Sequence, residues 1–302
     1  MAADVSVLTP SRNYGRFLGD AIESVRLQRG FDVEHIVQDC CSTDGTVAYL
    51  KTCPDVDWRS EPDAGQSDGL NRALLRASGR WIAWLNADEF YLPDSLRLLV
   101  ERGEEVGADI VFGDAVFVDE QGRMLRLLPQ HAFSQNVLRS YGACIPSSAV
   151  IFRRSALGEA PWSVSFRRLM DWALYVRLAD EGKIFDHVVA AIGAFRVHPG
   201  QLTASEPALF RSEYDRLLSR RRPASRAAVR NLGALLHAAL KASNGAYLRQ
   251  IRTRHLHGAC ARWFADGANP DARLVCDEIA RLASGGHVAK RGRAGAFGRS
   301  ET

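Results

Sequence analysis

The chain opens on a short apolar run, Val5-Ser6-Val7-Leu8-Thr9, that reads as a buried strand and leaves through a loop at Pro10 to Asn13. From Gly19 to Leu27 the apolar positions Ala21, Ile22 and Val25 fall at helical spacing. His35 to Gln38 is a second strand, ending at Asp39. Ser42-Thr43-Asp44-Gly45-Thr46 is turn chemistry in which Ser42, Thr43 or Asp44 can cap a following helix. Asp68 to Ala77 is helical, and Gly79 stops it. Trp81 to Leu85 is a continuous apolar strand that ends at Asn86-Ala87-Asp88-Glu89. Pro93 opens a helix from Asp94 to Val106, and Asp109 to Gly113 is a further strand. Strands of near-continuous apolar character alternating with helices predict an α/β fold, a mostly parallel sheet covered on both faces. Such sheets bind ligands outside the carboxyl ends of their strands. The polar clusters after Thr9, Gln38 and Leu85 all fall there.

Further along, the pattern becomes α+β. A hairpin signal stands at Asp119-Glu120-Gln121-Gly122, a strand is predicted from Ile145 to Arg154, and Asp171 to Glu181 is a helix with Leu174 and Leu178 on one face. We expect one α/β unit over residues 1–204, a mostly helical C-terminal extension over 205–284, and a disordered Gly-, Arg- and Ser-rich tail over 285–302. Arg220-Arg221-Arg222-Pro223 is the expected linker.

Charge changes this picture more than composition does. Hydrophobic content of 46% and charged content of 25% are ordinary for a globular chain. The six cysteines form no CxxC pair, no secretory signal opens the chain, and no apolar run reaches the ~18 residues of a membrane span. A cytoplasmic protein with reduced thiols is expected. Residues 1–210 carry 21 basic and 28 acidic side chains, whereas 211–262 carry 12 basic and 2 acidic ones. That basic stretch reads as a solvated helical face or as a surface drawn to anionic membrane, with Leu232, Leu235, Leu236, Ala239 and Leu240 as an apolar stripe beside Arg226, Arg230 and Lys241. No nucleic-acid-binding module accompanies it, so nucleic acid is not an expected partner.

The candidate chemistry lies at the strand ends. Asp39 can accept from the imide N–H of a uracil-like base, with Thr9, Pro10, Ser11 and Asn13 around it. Asn86-Ala87-Asp88 sets two oxygen-bearing side chains two residues apart, which suits a hard divalent cation such as Mg²⁺ or Mn²⁺ shared with substrate phosphates. Each element alone is ordinary turn or cap chemistry. His255, His257 and Cys260 form HxHxxC without a fourth ligand, too little for zinc.

The order of these blocks over residues 4–203 resembles glycosyltransferase family 2, of the GT-A (Rossmann-like) fold. VSVLTPSRNYGRFLGDAIESV resembles the family's first strand, loop and helix, and Asp39 with STDGT resembles its base-binding aspartate. EPDAGQSDGLNRAL implies roles near the ribose for Asp68 and Asn71, and WLNADE stands at the metal-binding Asp-x-Asp-like position, with Asp88 the principal ligand. LMDWALYVRLADEG implies Asp171 as catalytic base, and FRVHPGQLT places His198 near the diphosphate and metal. Residues 1–113 would then bind the nucleotide and 114–204 the acceptor.

The resemblance implies an inverting enzyme that takes a nucleotide-sugar donor, UDP-linked, to a hydroxyl of a glycan or lipid-linked acceptor in cell-surface polysaccharide assembly. The basic stretch would touch the inner face of the membrane. Cys40-Cys41 stands where relatives carry small residues, often glycine, and Asn86 replaces the first aspartate of a strict Asp-x-Asp. Without the resemblance, Asp171 reads as a helix cap, His198 as a loop histidine, the pairs Arg153-Arg154 and Arg167-Arg168 as solvated surface, and Trp162 and Trp172 as core as readily as sugar-stacking groups. Rival readings are a nucleotidyltransferase, for which TPSRNYGRF lacks a glycine- and lysine-rich phosphate loop, and a dehydrogenase, for which GxGxxG is missing. A non-catalytic binding protein of the same fold is the third.

Overall fold

The computed structural model describes residues 3–201, 207–217, 223–259, 261–262 and 270–283. Its elements are β1 (Val5–Ser11), α1 (Gly15–Arg26), β2 (Val33–Asp39), α2 (Thr46–Leu50), β3 (Val56–Ser60), α3 (Gln66–Arg76), β4 (Trp81–Trp84) and β5 (Phe90–Tyr91). There follow α4 (Ser95–Val106), β6 (Ile110–Val118), β7 (Met124–Leu128), α5 (Gln135–Ser140), β8 (Val150–Arg153), α6 (Arg154–Leu157), α7 (Met170–Asp180) and β9 (Phe185–Arg196). The chain continues through α8 (Pro207–Leu217), α9 (Pro223–Ser243), α10 (Ala246–Arg252) and α11 (Pro270–Ala283).

The sheet runs β3-β2-β1-β4-β8-β6-β9-β5, with β7 on β6. Its first four strands are parallel, as are β6 and β9. By contrast, β8 is antiparallel to both neighbours, and β5 and β7 are antiparallel additions. Strand periodicity divides the core between the two faces. Trp81, Ala83, Val111 and Ile151 face one side with α1 and α4 residues such as Ala21, Val25, Leu96 and Leu99. Ile82, Trp84, Ile110, Phe112, Val150 and Phe152 face the other, against Leu70 and Leu74 of α3 and Trp172, Leu174 and Leu178 of α7.

Several sequence expectations shift. Helix α1 begins four residues earlier than its apolar spacing suggested. The run from Ile145 to Arg154 is a strand only over Val150–Arg153, because Pro146 precedes a short 3₁₀ turn at Ser147–Ala149. The N-cap of α2 is Gly45 at φ 95°, although the Asp44 carboxylate still accepts from Thr46 N–H at 3.2 Å. Strands β3, β5 and β9 were not expected. The hairpin turn stands where its signal did, with the Asp119 carboxylate accepting from the N–H groups of Gln121 and Arg123 at 2.9 and 2.8 Å. Arg220 to Arg222, Cys260 and the tail at 285–302 lie outside the described residues.

The helices beyond residue 204 are packed into this body. Tyr214 and Leu217 of α8 pack against the α3–α7 core, and Cys276 and Ile279 of α11 join a cluster with Val116, Val118 and Ala194. Arg249 of α10 is buried and bonds Asp114 of β6 at 3.1 Å. Part of the basic stretch is therefore neither solvated nor available to a membrane.

Candidate active site

Register brings Ser11, Asp39 and Ser60 side by side at the carboxyl ends of β1, β2 and β3. Asp39 is fully buried. Its Oδ2 accepts from Ser60 Oγ at 2.6 Å and Ser42 N–H at 2.9 Å, and its Oδ1 accepts from Ser42 Oγ. These donors fix the carboxylate but leave it acceptor capacity. Beside it, Ser11 Oγ is buried without a hydrogen-bond partner among the described residues. An orphaned buried hydroxyl next to a held carboxylate suits a polar ligand.

The neighbouring loop residues hold one another. Asn13 sits at φ 59°; its N–H donates to Ser42 Oγ at 2.7 Å and its Oδ1 accepts from Thr43 N–H at 2.8 Å. Thr9 Oγ1 lies 2.9 Å from His35 Nε2 across the β1–β2 pair, so its hydroxyl is engaged within the sheet. Pro10 packs toward α3, where a side-chain carbon added at Gly69 would lie 3.6 Å from its Cβ. Cys41 adopts φ 48°, a left-handed conformation that favours glycine.

Asp68, in the first turn of α3, accepts from Ala64 N–H and from Arg72 Nε, both at 3.0 Å. Those contacts hold its carboxyl below the usual range, the Ala64 N–H contributing most. Asn71 spends its amide on one backbone unit: Nδ2 donates to Trp162 O at 2.8 Å, and Oδ1 accepts from Trp162 N–H at 3.1 Å.

The loop after β4 separates its residues into two kinds. Asn86 Oδ1 accepts from Gln66 Nε2 at 2.6 Å and Trp84 Nε1 at 2.8 Å, while its Nδ2 donates to Ser147 Oγ at 3.3 Å. That side chain is already spent within the protein. Ala87 turns into the core with Leu18 and Ile22. Glu89 is buried, accepts from Asn86 N–H at 3.1 Å and Ser147 Oγ at 3.3 Å, and is pushed up to about 8 by burial and then by the charge of Asp88.

Asp88 differs. Its Oδ2 lies 3.0 Å from His198 Nε2, and its Oδ1 has no hydrogen bond among the described residues. Gly200 N–H donates to His198 Nδ1 at 3.2 Å, and Arg16 Nη2 approaches the same atom at 3.4 Å. With Nδ1 engaged there, Nε2 is the ring nitrogen turned toward Asp88. A free carboxylate oxygen beside an imidazole nitrogen fits a divalent ion completed by phosphate oxygens.

Sequence reasoning missed Arg196, two residues before His198. It is fully buried: Nε donates to Asp88 O at 2.9 Å, Nη2 pairs with Asp20 at 2.6 Å, and the guanidinium lies over Phe17 at 4.5 Å. Arg196 thus fixes the backbone of the Asp88 loop.

Asp171 occupies the first turn of α7, and its Oδ1 accepts from Trp172 N–H at 2.7 Å. Burial pushes its carboxyl up to about 6, with a smaller contribution from the charge of Glu213. Glu213, also missed in the sequence, is buried on α8 and accepts from three successive N–H groups, Arg167 at 2.7 Å, Arg168 at 3.0 Å and Leu169 at 2.9 Å. Those amides lead directly into the turn that carries Asp171. The buried Tyr175 hydroxyl has no partner among the described residues and feels the charges of both Asp171 and Glu89, which link α7 to the Asp88 loop electrostatically.

Trp162 and Trp172 are core: both are buried, Trp162 meets Trp84 edge-on at 6.1 Å, and Trp172 Nε1 donates to Leu138 O at 2.7 Å. Arg153 lies over the Trp81 ring at 4.4 Å, and Arg154 donates to Ala77 O, at the far end of β4 from Asp88.

A half-parallel sheet whose strand ends gather held carboxylates, an orphaned hydroxyl and an Asp–His pair defines an α/β ligand-binding protein suited to a nucleoside phosphate. Residues 6–159 match the family model Glycosyl transferase family 2, just over half of the chain, and the chain belongs to that family. It is 33% identical over 153 residues to the succinoglycan biosynthesis protein ExoO of Rhizobium meliloti, covering 50% of this chain and 44% of that protein. The chain thus spans less than half the length of that relative. Its fold, GT-A, is that of S. aureus TarS 1-349 in complex with UDP, at TM-score 0.57 and 15% identity over 94% of this chain and 90% of that one. The mannosyltransferase PcManGT from Pyrobaculum calidifontis, solved with GDP-Man and Mn²⁺, matches at TM-score 0.50 and 16% identity over 94% and 86% of the two chains.

Proposed function

We propose that this chain is an inverting glycosyltransferase, moving a sugar from a nucleoside diphosphate donor, UDP-linked, to a hydroxyl of a glycan or lipid-linked acceptor. The observation that carries this reading is the Asp88–His198 pair at the strand ends, within the same sheet edge as the held carboxylate of Asp39. In this reading Asp39 accepts from the imide N–H of the base, and the main chain of Thr9 to Asn13 lines it. Asp68 lies toward the ribose, while Asn71 acts through the Trp162 segment it holds. Asn86 and Ala87 shape the diphosphate loop through their backbone.

Asp88, with His198, would hold Mn²⁺ or Mg²⁺, which when bound supplies neutralisation of charge on the departing diphosphate. Asp171 accepts the acceptor hydroxyl's proton as that oxygen attacks the anomeric carbon. The bond to the diphosphate oxygen breaks, its electron pair leaves with the nucleotide, and a single displacement inverts the configuration. The names of family relatives point to polysaccharide assembly as the setting.

No helix among the described residues is long and apolar enough to cross a membrane. Leu232 and Leu235 of α9 and Leu248 and Ile251 of α10 are nevertheless exposed, with Arg230, Arg252 and Arg254 exposed nearby in the chain. These exposed apolar and basic side chains support peripheral contact with anionic lipid on the cytoplasmic side.

The test is release of nucleoside diphosphate from a panel of nucleotide sugars with Mn²⁺ and candidate acceptors. UDP release from one sugar, with an inverted product anomer, supports the reading. A retained anomer or no turnover with any donor overturns it. Asp39→Asn, which turns one acceptor oxygen into a donor, is expected to raise the Kd for UDP about tenfold or more by isothermal titration calorimetry.

A further inference from the structure

The HxHxxC motif does not gather a metal site: His255 and His257 are exposed, and His257 Nδ1 is 3.0 Å from Leu125 O. Three other residues, unrelated by spacing, converge instead. His131 comes from the loop after β7, Cys144 from the loop after α5, and His237 from α9, and their metal-binding atoms all lie within 4.8 Å of one another. We infer that His131, Cys144 and His237 supply three ligands of a second metal site, for a borderline-soft divalent ion of the zinc class whose fourth position is left to water, that fastens α9 to the sheet domain.

The local geometry prepares these atoms. His131 Nδ1 lies 2.6 Å from Ala132 O, so it carries the proton and leaves the Nε2 lone pair facing His237 Nδ1 at 2.8 Å. An imidazole oriented by a backbone carbonyl through its other nitrogen is the usual arrangement of a metal-ligating histidine. Cys144 Sγ is 3.6 Å from the same His237 Nδ1. Tetrahedral zinc with Zn–N of about 2.0 Å and Zn–S of about 2.3 Å puts nitrogen and sulfur about 3.5 Å apart, and two nitrogens about 3.3 Å apart. The sulfur already stands at that spacing from His237, and it lies within 4.8 Å of His131; the rings need to part by about 0.5 Å. Tyr141 stacks on His237 at 4.6 Å and limits its rotation.

Without an ion the cluster is a hydrogen bond between two neutral rings and a thiol that reaches Gly142 O at 3.6 Å. Burial holds His131 below its ordinary value, brings His237 down to about 4, and pushes the Cys144 thiol up to about 12. Ion binding needs His237 to move the proton it shares with His131 Nε2 from Nδ1 to its other nitrogen, and the ion must displace the thiol proton, as bound zinc does. Lys241, one turn along α9, is half-buried, and its own charge is disfavoured by burial. A nitrogen–sulfur donor set separates this site from the carboxylate site at Asp88, which suits harder ions.

The test is a Co²⁺ titration of the full chain after chelator treatment. A thiolate-to-cobalt charge-transfer band that saturates at one equivalent, is displaced by Zn²⁺, persists in Asp88→Ala and is lost in Cys144→Ser is the expected result. No such band in the wild-type protein, or a band undiminished in Cys144→Ser, overturns the inference. The wild-type reading does not depend on any variant folding. Failure of the glycosyltransferase reading would leave this band untouched.

Discussion

Asp171→Asn is expected to lower sugar transfer between about 10²- and 10⁴-fold, with the KM for the donor little changed, because a general base acts on the acceptor's proton and not on donor binding. Steady-state kinetics with donor and acceptor varied separately checks the split. The same residue predicts the pH profile. Its carboxyl is pushed up to about 6, and only the ionised form accepts a proton, so kcat/KM should fall about tenfold per unit as pH drops below 6. Stability should respond in the opposite sense. The folded pKa lies above the unfolded value, so the unfolded chain ionises first and this group's favourable contribution is lost as pH rises from about 4 to about 6. Asparagine carries no such charge. The inactive variant should therefore melt higher than wild type at pH 8, and a lower Tm there would mean that Asp171 serves the fold.

Arg249→Leu is expected to destabilise the chain by about 3–5 kcal/mol, through the charge it strands. Asp114 is fully buried; it accepts from Arg249 Nε at 3.1 Å and Gln130 N–H at 2.7 Å, with His187 Nε2 at 3.1 Å. The same guanidinium donates to Gln130 O at 3.0 Å and Asn244 O at 2.8 Å, so the substitution also takes a donor from each carbonyl and leaves Gln130 O with Asn244 Nδ2 at 2.9 Å. Thermal unfolding should show one transition, lowered by roughly 10 °C. An unchanged main transition would mean that the helices beyond residue 204 are an appendage with little bearing on the sheet.

Arg249 also shows where the sequence misleads. Among 12 basic side chains in 211–262 nothing distinguishes Arg249 as buried, because its partner Asp114 lies 135 positions away. Glu213 and Arg196 escaped notice for the same reason. Charged residues read as solvent-facing until the fold supplies their partners. The first half was more legible. Strands buried on both faces, such as Trp81 to Trp84, are near-continuous apolar runs, and the loops that follow them fall at the ligand-binding edge. Strand β9 gave no such signal. Its centre is Ala190-Ala191-Ile192-Gly193-Ala194, and a side chain at Gly193 would run into Ser148 O. Close backbone approach demanded small residues, which carry little strand propensity. The Asp88–His198 contact spans 110 positions and was legible only through family resemblance, and the His131–Cys144–His237 cluster has no motif at all.

The central claim is that the strand ends of β1, β2 and β4 hold a nucleoside diphosphate with a divalent ion. Thermal shift of the full chain with UDP, with and without Mn²⁺, tests it most directly. UDP at about 100 times its Kd should stabilise the wild-type protein by about 2.7 kcal/mol when Mn²⁺ is present, and Asp88→Ala should lose most of that gain. No shift with UDP under either condition, or an equal shift in Asp88→Ala, would contradict the account.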